Sequence, residues 1–257
     1  MTLDSVPRYA GDDTTAVGDH AVVVGAGIAG LLATRVLIDA FDRVTLIERD
    51  PLADTDDVRR GTQQAAHVHI LLEAGRVTIE DLFPGFGDEI TAQGGVVVDA
   101  GTDIQYFQDG AFFASGAQRH PMLSASRPLV ESTLGRRVRS LDGVEVSAPA
   151  HVAEYRADEA GDVTGVEVRT ADGLDAVAAD LVVDATGRTS QTPAWLERAG
   201  FGAPPVDEVH VDLAYSTLVL ERPPTVRRGY LIGPSPECPR GGTVLPVEGD
   251  RWMVLLF

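Results

Sequence analysis

Three glycines with the spacing G-x-G-x-x-G lie in "AVVVGAGIAGLLATRVL", at Gly25, Gly27 and Gly30. An apolar run precedes them and apolar residues at helical spacing follow, so the pattern predicts a strand, a tight turn and a helix. In such a turn the first glycine permits the bend, the second lets the backbone approach a pyrophosphate, and the third lets helix and strand pack closely. Phosphates would meet the N–H groups at the start of the helix, at Ile28 and Ala29. The segment predicts a dinucleotide-binding turn; the alternative is a well-packed turn that binds nothing.

An acidic residue, Glu48, stands where the next apolar run ends, about 20 residues after the turn. A carboxylate at this position can accept hydrogen bonds from a ribose diol. It also disfavours NADP, because a 2′-phosphate would face a negative charge. Glu48 and its neighbour Arg49 are therefore candidate cofactor-binding residues together with those of the glycine turn. The motif does not distinguish NAD from FAD.

The remaining chain predicts an α/β protein in which a Rossmann-like βαβ sheet is interrupted by an antiparallel excursion of three strands between about residues 150 and 185. A partial antiparallel β-sheet is expected beside it, with sharp turns at Asp109-Gly110 and Gly249-Asp250. A helix is expected from about residue 69, stopped by Pro84 and Gly85, a second helix over about 128–141, and a strand over 143–152. The expected organisation is a flexible tail at 1–18, a dinucleotide-binding domain at 19–92 and 121–203, and a substrate-domain sheet, incomplete here, at 93–120 and 204–257.

The chain has a larger excess of acidic residues than an average soluble protein. The chain carries 39 acids against 21 bases, a formal net charge of −18, and every base other than histidine is an arginine. Such a surface repels nucleic acids and anionic membranes, and the short basic run at Arg136, Arg137 and Arg139 is interpreted as a solvated helix face. Strong acidity without lysine suggests, as a hypothesis, adaptation to salt or a GC-rich genome.

The single cysteine, Cys238, leaves no internal disulfide and is interpreted as a loop thiol. The opening segment is acidic and apolar-poor, unlike a secretory signal, and Arg35 interrupts the longest apolar run before it could span a bilayer. A cytoplasmic protein without a membrane span is therefore expected.

Four segments resemble the flavin monooxygenases of the aromatic-hydroxylase class, a superfamily that also includes geranylgeranyl reductases and flavin halogenases. They are "VVVGAGIAGLLAT…VTLIERD", "RRGTQQAAHVHILLEAG", "SRPLVESTL" and "ADLVVDATGRTS". The resemblance implies FAD as the cofactor. It also implies that Arg60 approaches the adenosine-phosphate side of FAD, that Arg127 reaches the phosphate and ribityl region, and that Asp184 and Gly187 lie at the cofactor.

The fourth segment departs from the hydroxylase pattern. Where those enzymes have an Asp-Gly pair that serves both FAD and the nicotinamide donor, this chain has Thr186-Gly187. The close backbone approach at Gly187 is kept and the carboxylate is lost, so NAD(P)H as electron donor is left open. The change is more reminiscent of the reductase, cyclase and halogenase branches.

The resemblance implies an FAD-dependent oxidoreductase, a monooxygenase acting on an apolar or aromatic small molecule. The alternatives are an isoprenoid or alkene reductase or halogenase-like flavoprotein, and a non-catalytic FAD-binding fragment. A second flavin motif of the family, Gly-Asp before a proline-containing loop and a helix, has no counterpart, since Gly249-Asp250 lies between apolar runs. A separately encoded C-terminal portion is therefore considered as a partner.

Two further patterns leave alternatives open. His67 and His69 could contact a metal, take a helix-cap or surface role, or face the active site, but no further ligands complete a metal site, so none is expected. The aromatic residues Tyr106, Phe107, Phe112 and Phe113 could line an apolar pocket or pack as a hairpin on the sheet. No catalytic residue is identified, which is compatible with a flavoenzyme, whose cofactor performs the redox step.

Overall fold

The computed structural model describes residues 8–52, 58–117 and 121–257. Its α-helices are α1 (Ile28–Leu37), α2 (Glu73–Leu82), α3 (Phe86–Ala92), α4 (Arg127–Arg139) and α5 (Thr192–Arg198). Short 3₁₀ helices cover Gly11–Asp13, Arg60–Ala66 and Gly187–Thr189. The strands are β1 (Gly18–Val24), β2 (Phe41–Ile47), β3 (Val96–Asp99), β4 (Ile104–Gln108), β5 (Ala111–Phe112), β6 (Pro121–Ser124), β7 (Val144–Ser147), β8 (His151–Ala157), β9 (Val163–Thr170), β10 (Gly173–Ala178), β11 (Leu181–Asp184), β12 (Ser216–Glu221), β13 (Gly229–Ile232), β14 (Gly242–Val247) and β15 (Arg251–Leu256).

The chain divides into two compact units, each assembled from segments that are separated in sequence. The first, here called the glycine-turn unit, comprises residues 9–55 and 134–209. The second, called the mixed-sheet unit, comprises residues 1–8, 56–133 and 210–257.

The glycine-turn unit is built on a parallel four-stranded sheet with the order β11-β1-β2-β7. Strand β1 is central, with Ala21 opposite Leu181 on one side and Val44 on the other. Its apolar run from Ala21 to Val24 is almost fully buried. A continuous run of this kind is typical of a parallel strand covered on both faces, as the sequence predicts.

A separate antiparallel sheet with the order β10-β9-β8 lies in the same unit, and the predicted three-strand excursion is confirmed. Val166 and Val168 of β9 share one apolar cluster with Val22, Val24 and Ile47 of the parallel sheet. The excursion is therefore part of the hydrophobic core of this unit, because its central strand buries its apolar face with the parallel sheet.

The mixed-sheet unit contains a six-stranded sheet with the order β12-β15-β14-β13-β4-β5 and a two-stranded sheet of β3 and β6. All neighbours in the larger sheet are antiparallel except β13 and β4. The core of this unit contains Val96 and Val98 of β3, Ile104 of β4 and Leu245 of β14.

Both sharp turns occur where the sequence predicts them. Asp109 and Gly110 have φ of 51° and 84° between β4 and β5, and Gly249 and Asp250 have φ of 69° and 52° between β14 and β15. The first is a two-residue loop between the paired Gln108 and Ala111, where positive φ at both residues matches the right-handed twist of the strands. The second is a three-residue loop between the paired Val247 and Arg251. Gly249-Asp250 is thus a hairpin turn.

Two elements differ from the sequence prediction. The helix expected from about His69 begins only at Glu73, and it ends at Leu82, just before the predicted stop at Pro84 and Gly85; a separate helix starts after Gly85, whose φ is 80°. The strand expected over 143–152 is two strands, β7 and β8, which belong to different sheets. Apolar residues continue past the start of α2 and past the end of β7, so their spacing gives neither the first residue of the helix nor the change of sheet.

Candidate dinucleotide-binding site

The turn between β1 and α1 requires glycine at two of its three glycine positions. Gly25 has φ of 100°, and a Cβ there would lie 2.8 Å from the carbonyl oxygen of Ala185. A Cβ on Gly30 would collide with the carbonyl of Gly25. These two residues therefore allow the bend and the close packing of α1 that the sequence pattern predicts.

Gly27 is different, because nothing lies within 4 Å of the position its Cβ would take. It is the N-cap of α1 in an extended conformation, with φ of −73° and ψ of 177°. Within the part of the chain that the structure describes, no side chain caps this helix. The N–H groups of Ile28 and Ala29 thus begin a ten-residue helix beside an open space, and this favours an anionic group there.

Glu48 follows β2 and is buried, with 7% of its surface exposed. Its Oε2 accepts a hydrogen bond of 2.7 Å from the N–H of Ala26, and its Oε1 accepts one of 2.9 Å from the N–H of Asp50. The acid predicted to contact a ribose therefore also holds the glycine turn itself. Its neighbour Arg49 has an exposed side chain.

Asp184 ends β11 and accepts hydrogen bonds from four nearby residues. Its Oδ1 accepts from the N–H and hydroxyl of Thr186 at 2.8 and 2.5 Å, and its Oδ2 accepts from Ser190 at 2.6 Å. Oδ2 also accepts from Tyr155 at 2.9 Å and from Thr192. The carboxylate thus ties the chain after β11 to a strand of the antiparallel sheet and to the start of α5.

The electrostatics of this network favour a charged Asp184. Burial raises the pKa of the Asp184 carboxyl, but the hydrogen bonds from Ser190, Thr186 and Thr192 outweigh burial and lower the pKa to about 2. Burial raises the pKa of the Tyr155 hydroxyl to about 12. At neutral pH the tyrosine therefore donates to an ionised carboxylate.

The loop after β11 lies beside the glycine turn. The N–H of Ala185 donates to the carbonyl of Val24 at 2.8 Å, which continues the ladder between β11 and β1. Gly187 follows with φ of 68°, is exposed, and has open space around the position of a Cβ. The ends of β1, β2 and β11 thus bring Gly25, Glu48 and Asp184 to one edge of the parallel sheet.

Arg60 and Arg127 belong to the mixed-sheet unit. Arg60 begins a 3₁₀ helix and its side chain is exposed. Its neighbour Arg59 donates to Glu131 at 2.9 Å, and Arg127 donates from Nε to the other oxygen of Glu131 at 2.7 Å. Sequence reasoning missed Arg59 and Glu131. The i,i+4 spacing of Arg127 and Glu131 could have indicated one contact, but nothing in "RRG" shows which arginine faces the helix.

The two histidines of "HVH" lie outside the α-helices. His67 contacts the hydroxyl of Thr217 through Nδ1 at 2.8 Å, and His69 lies 3.3 Å from Arg127 through Nε2. Burial lowers the pKa of His69. No group of three or more His, Cys, Asp and Glu residues that could hold a metal ion occurs among the described residues.

The aromatic segment forms the predicted hairpin. Phe107 and Phe112 meet across β4 and β5 with ring centroids 5.1 Å apart, edge to face. Tyr106 packs against the core of the mixed-sheet unit, whereas Phe113 is 61% exposed. The hairpin interpretation is confirmed.

The glycine-turn unit fits a dinucleotide on its own geometry. Gly27 leaves space for a diphosphate at the start of α1, and Glu48 lies at the end of β2, the position of a ribose-binding acid.

No helix in residues 8–52, 58–117 and 121–257 is long and apolar enough to cross a membrane.

Comparison with known sequences gives one reviewed relative. The chain is 32% identical over 251 residues to Protein Rv3254 of Mycobacterium tuberculosis, an alignment that covers 93% of this chain and 53% of that protein. No family model matches the chain. The chain therefore spans about half the length of the reviewed relative it matches.

Solved structures with the same fold are flavoproteins. PqsL of Pseudomonas aeruginosa, a probable FAD-dependent monooxygenase, has a TM-score of 0.68 at 18% identity, over 93% of this chain and 60% of that chain. It has also been solved in complex with 2-aminobenzoylacetate. The p-nitrophenol 4-monooxygenase PnpA of Pseudomonas putida DLL-E4 has a TM-score of 0.63 at 18% identity, and the match covers 94% of this chain and 57% of that chain. The flavin-dependent brominase Bmp2 has a TM-score of 0.59 at 17% identity, and the match covers 93% of this chain and 56% of that chain. The chain has the fold of these flavin-dependent monooxygenases and halogenases.

Proposed function

We propose that this chain binds FAD and forms part of an FAD-dependent oxidoreductase, a monooxygenase that acts on an apolar or aromatic small molecule. The observation that carries the proposal is the turn between β1 and α1, where the open space at Gly27 meets a helix N-terminus without a side-chain cap in the described chain. The fold shared with FAD-dependent monooxygenases over more than nine-tenths of the chain supports FAD as the dinucleotide.

The glycine turn would hold the diphosphate of the cofactor. Gly25 and Gly30 shape the turn, Gly27 admits the ligand, and Ile28 and Ala29 would donate from their backbone N–H groups. Glu48 would accept from the ribose while it holds Ala26 in place. When bound, the flavin supplies the redox chemistry, and the protein supplies position, charge and exclusion of water.

The proposal assigns five further residues to the cofactor. Asp184 acts through the loop that it holds, which contains Gly187. The exposed Arg49 and Arg60, together with Arg127, would provide positive charge to phosphate groups in a chain whose net charge is −18. Positive charge at the site is needed because the acidic surface as a whole repels an anionic cofactor.

The monooxygenase activity is proposed for a protein that is larger than this chain. The chain spans 53% of the reviewed relative and 56–60% of the compared structures. We propose that the remaining portion, encoded in the same or in a separate polypeptide, completes the substrate site. FAD binding by the chain itself does not depend on that portion in the proposal.

Absorbance spectroscopy of the purified chain tests FAD binding. When FAD is added to the chain, we expect the absorbance spectrum of the flavin to shift relative to that of free FAD. The fluorescence of the flavin should be quenched, and the quenching should saturate as the protein concentration rises. Gly27→Val should abolish both without unfolding the protein, because its side chain would fill the space proposed for the diphosphate. Gly116→Val is a matched control, since nothing lies within 4 Å of a Cβ at Gly116 either. Equal FAD affinity of the wild type and Gly27→Val, or no binding by the wild type, would contradict the proposal.

A halogenase-like or alkene-reducing flavoprotein is the second candidate. It is favoured by Thr186, which stands where hydroxylases of the resembled class carry an aspartate, and by the fold shared with the brominase Bmp2. Oxygen consumption by the full protein separates the two. A monooxygenase should consume oxygen when substrate is added without halide, whereas a halogenase should require bromide or chloride and a reductase should form a reduced product without oxygen.

A further inference from the structure

A tyrosine of the antiparallel sheet reaches the carboxylate that ends β11. The hydroxyl of Tyr155, on β8, lies 2.9 Å from Oδ2 of Asp184. Asp184 has a pKa of about 2 and is ionised at neutral pH, so it can only accept and Tyr155 donates. The other donors to this carboxylate, Thr186, Ser190 and Thr192, lie within eight positions after it in the chain. Among the described residues, Tyr155 is thus the one donor to Asp184 from a different element of the unit.

Strand β8 is irregular on both sides of Tyr155, and this irregularity directs the side chain inwards. Val152 and Tyr155 both pack against the apolar cluster of the glycine-turn unit. In a regular strand, residues three positions apart point to opposite faces. A register shift between Val152 and Glu154 interrupts this alternation, and a second one follows between Arg156 and Ala157. Irregularities of this kind re-aim side chains and are frequent next to functional sites.

The ring of Tyr155 is held by contacts that do not involve Asp184. It packs edge to face with Trp195, with ring centroids 5.5 Å apart, and the carbonyl oxygen of Tyr155 accepts a hydrogen bond of 3.2 Å from Nε1 of Trp195. Val166, opposite Tyr155 on β9, is fully buried. The core of the unit therefore fixes the position of the hydroxyl, and Tyr155→Phe removes the hydroxyl while it keeps these contacts.

The loop after Asp184 packs directly against the glycine turn. A Cβ on Gly25 would lie 2.8 Å from the carbonyl oxygen of Ala185, and a Cβ on Gly30 would lie 3.4 Å from the Cβ of Ala185. A displacement of Ala185 would therefore change the space available to the turn. Residues 187–189 of the loop are exposed, so hydrogen bonds rather than burial determine its conformation.

We infer that Tyr155 is a positioning residue for dinucleotide binding: through Asp184 it fixes the loop of residues 185–191 against the glycine turn. The antiparallel sheet is then the support of this loop as well as a part of the hydrophobic core. The inference rests on the proposed function for the identity of the ligand, FAD. NAD contains the same adenosine and diphosphate groups and serves as an independent probe.

The experiment compares Tyr155→Phe with the control Tyr9→Phe. The hydroxyl of Tyr9 donates to Asp39 over 2.6 Å in the same unit, and Asp39 follows α1 at the end opposite the glycine turn. Each variant therefore loses one hydrogen bond between a tyrosine and a carboxylate and keeps the ring. We expect both to lose a similar, small part of their stability in urea. Only Tyr155→Phe should bind FAD more weakly, by about 3- to 10-fold, which is the range expected for one hydrogen bond.

Two further measurements separate positioning of the loop from a general effect on stability. In the FAD-free protein, amide hydrogen exchange of residues 185–191 should be faster in Tyr155→Phe than in the wild type and unchanged in Tyr9→Phe. In an Asp184→Ala background, Tyr155→Phe should change the Kd for FAD by less than about 2-fold, because the hydroxyl acts through the carboxylate. Additive effects of the two substitutions on the Kd would overturn the inference. Should Asp184→Ala fail to fold, the exchange of residues 185–191 in Tyr155→Phe decides the question.

The outcomes also distinguish this inference from the proposed function. If the wild type binds NAD but no FAD, and Tyr155→Phe weakens the binding of NAD, the FAD proposal fails and the positioning role stands. If FAD binds with equal affinity to the wild type and to Tyr155→Phe, the positioning role is refuted and the FAD proposal stands. An equal loss of FAD affinity in Tyr9→Phe would assign the effect to stability and would also refute the positioning role.

Discussion

Glu48 and Asp184 are two carboxylates at the same edge of the parallel sheet, and both accept hydrogen bonds from backbone N–H groups. Glu48 follows β2 and accepts from Ala26, whereas Asp184 ends β11 and accepts from Thr186. Because β1 lies between those strands, the glycine turn at its end is held from both sides. At this edge, acidic residues define the backbone to which a dinucleotide would bind.

Asp184→Asn should lower the stability of the protein. An amide cannot accept from Thr186, Ser190, Tyr155 and Thr192 together, so at least one half-buried donor loses its partner, at a cost of about 1 kcal/mol. The free energy of unfolding in urea measures the effect. Asp175→Asn, on exposed β10, is the control and should change it little; equal effects of the two variants would argue against the network.

Stability should also depend on pH through the same residue. The pKa of Asp184 is lowered to about 2 in the folded protein by its hydrogen bonds, below the ordinary value of 3.8. A group with a depressed folded pKa contributes stability above its unfolded pKa, and this contribution disappears as the pH falls from about 4 to about 2. The stability difference between wild type and Asp184→Asn should therefore shrink over that range in urea titrations. A difference that stays constant from pH 5 to pH 2 would show that the charge is not responsible.

The positions of helices, strands and turns are predicted correctly from the sequence where a few neighbouring residues determine the local structure. The G-x-G-x-x-G spacing specifies the turn before α1, and the Asp109-Gly110 and Gly249-Asp250 pairs specify hairpins, because only small or turn-forming residues tolerate the required φ values. It fails at residues 143–152, where β7 and β8 join different sheets. Strand propensity is continuous there, and the choice of sheet depends on partners distant in sequence.

For the candidate site, too, the residues fixed by local sequence are predictable and those fixed by distant contacts are not. The positions of Gly25, Gly27, Gly30 and Glu48 follow from the βαβ unit alone. The contact of Arg59 with Glu131 joins residues 72 positions apart. Since two adjacent arginines have the same propensities, only the packed structure distinguishes Arg59 from Arg60.

Glycine-to-alanine substitutions in two helices should have opposite effects. Gly30→Ala places a Cβ against the carbonyl of Gly25, so it should destabilise the protein by about 1–3 kcal/mol or more. Gly135→Ala in α4 meets only the end of the Arg139 side chain, at 3.5 Å, so it should be neutral or stabilise by up to about 1 kcal/mol. Chemical denaturation of both variants checks the pair. Gly30→Ala with wild-type stability would mean that α1 does not need this close approach.

At the scale of the whole molecule, the balance of 39 acids against 21 bases dominates. Repulsion within such a chain opposes compaction and is screened by salt, with a Debye length of about 10 Å at 0.1 M. The thermal midpoint should therefore rise from low salt to about 1 M NaCl. Dialysis into low salt should lower it and can unfold the protein if the composition reflects adaptation to salt.

Screening predicts most of that rise below about 0.5 M, where the Debye length is already a few ångströms. A midpoint independent of NaCl would contradict the hypothesis of salt adaptation. Composition determines the total charge, but the assignment of segments to the two units depends on which distant strands pair. The sequence read locally does not contain that information.

The position of β1 in the parallel sheet has a consequence for synthesis of the protein. Its second partner, β11, begins at Leu181, opposite Ala21. A ribosome that adds about 5–20 residues per second needs roughly 10–30 s to make the intervening chain. During that interval the backbone N–H and C=O groups along one edge of β1 lack the strand that pairs with them in the native sheet. The yield of folded protein should therefore depend on the protection of the nascent chain as well as on the stability of the finished fold.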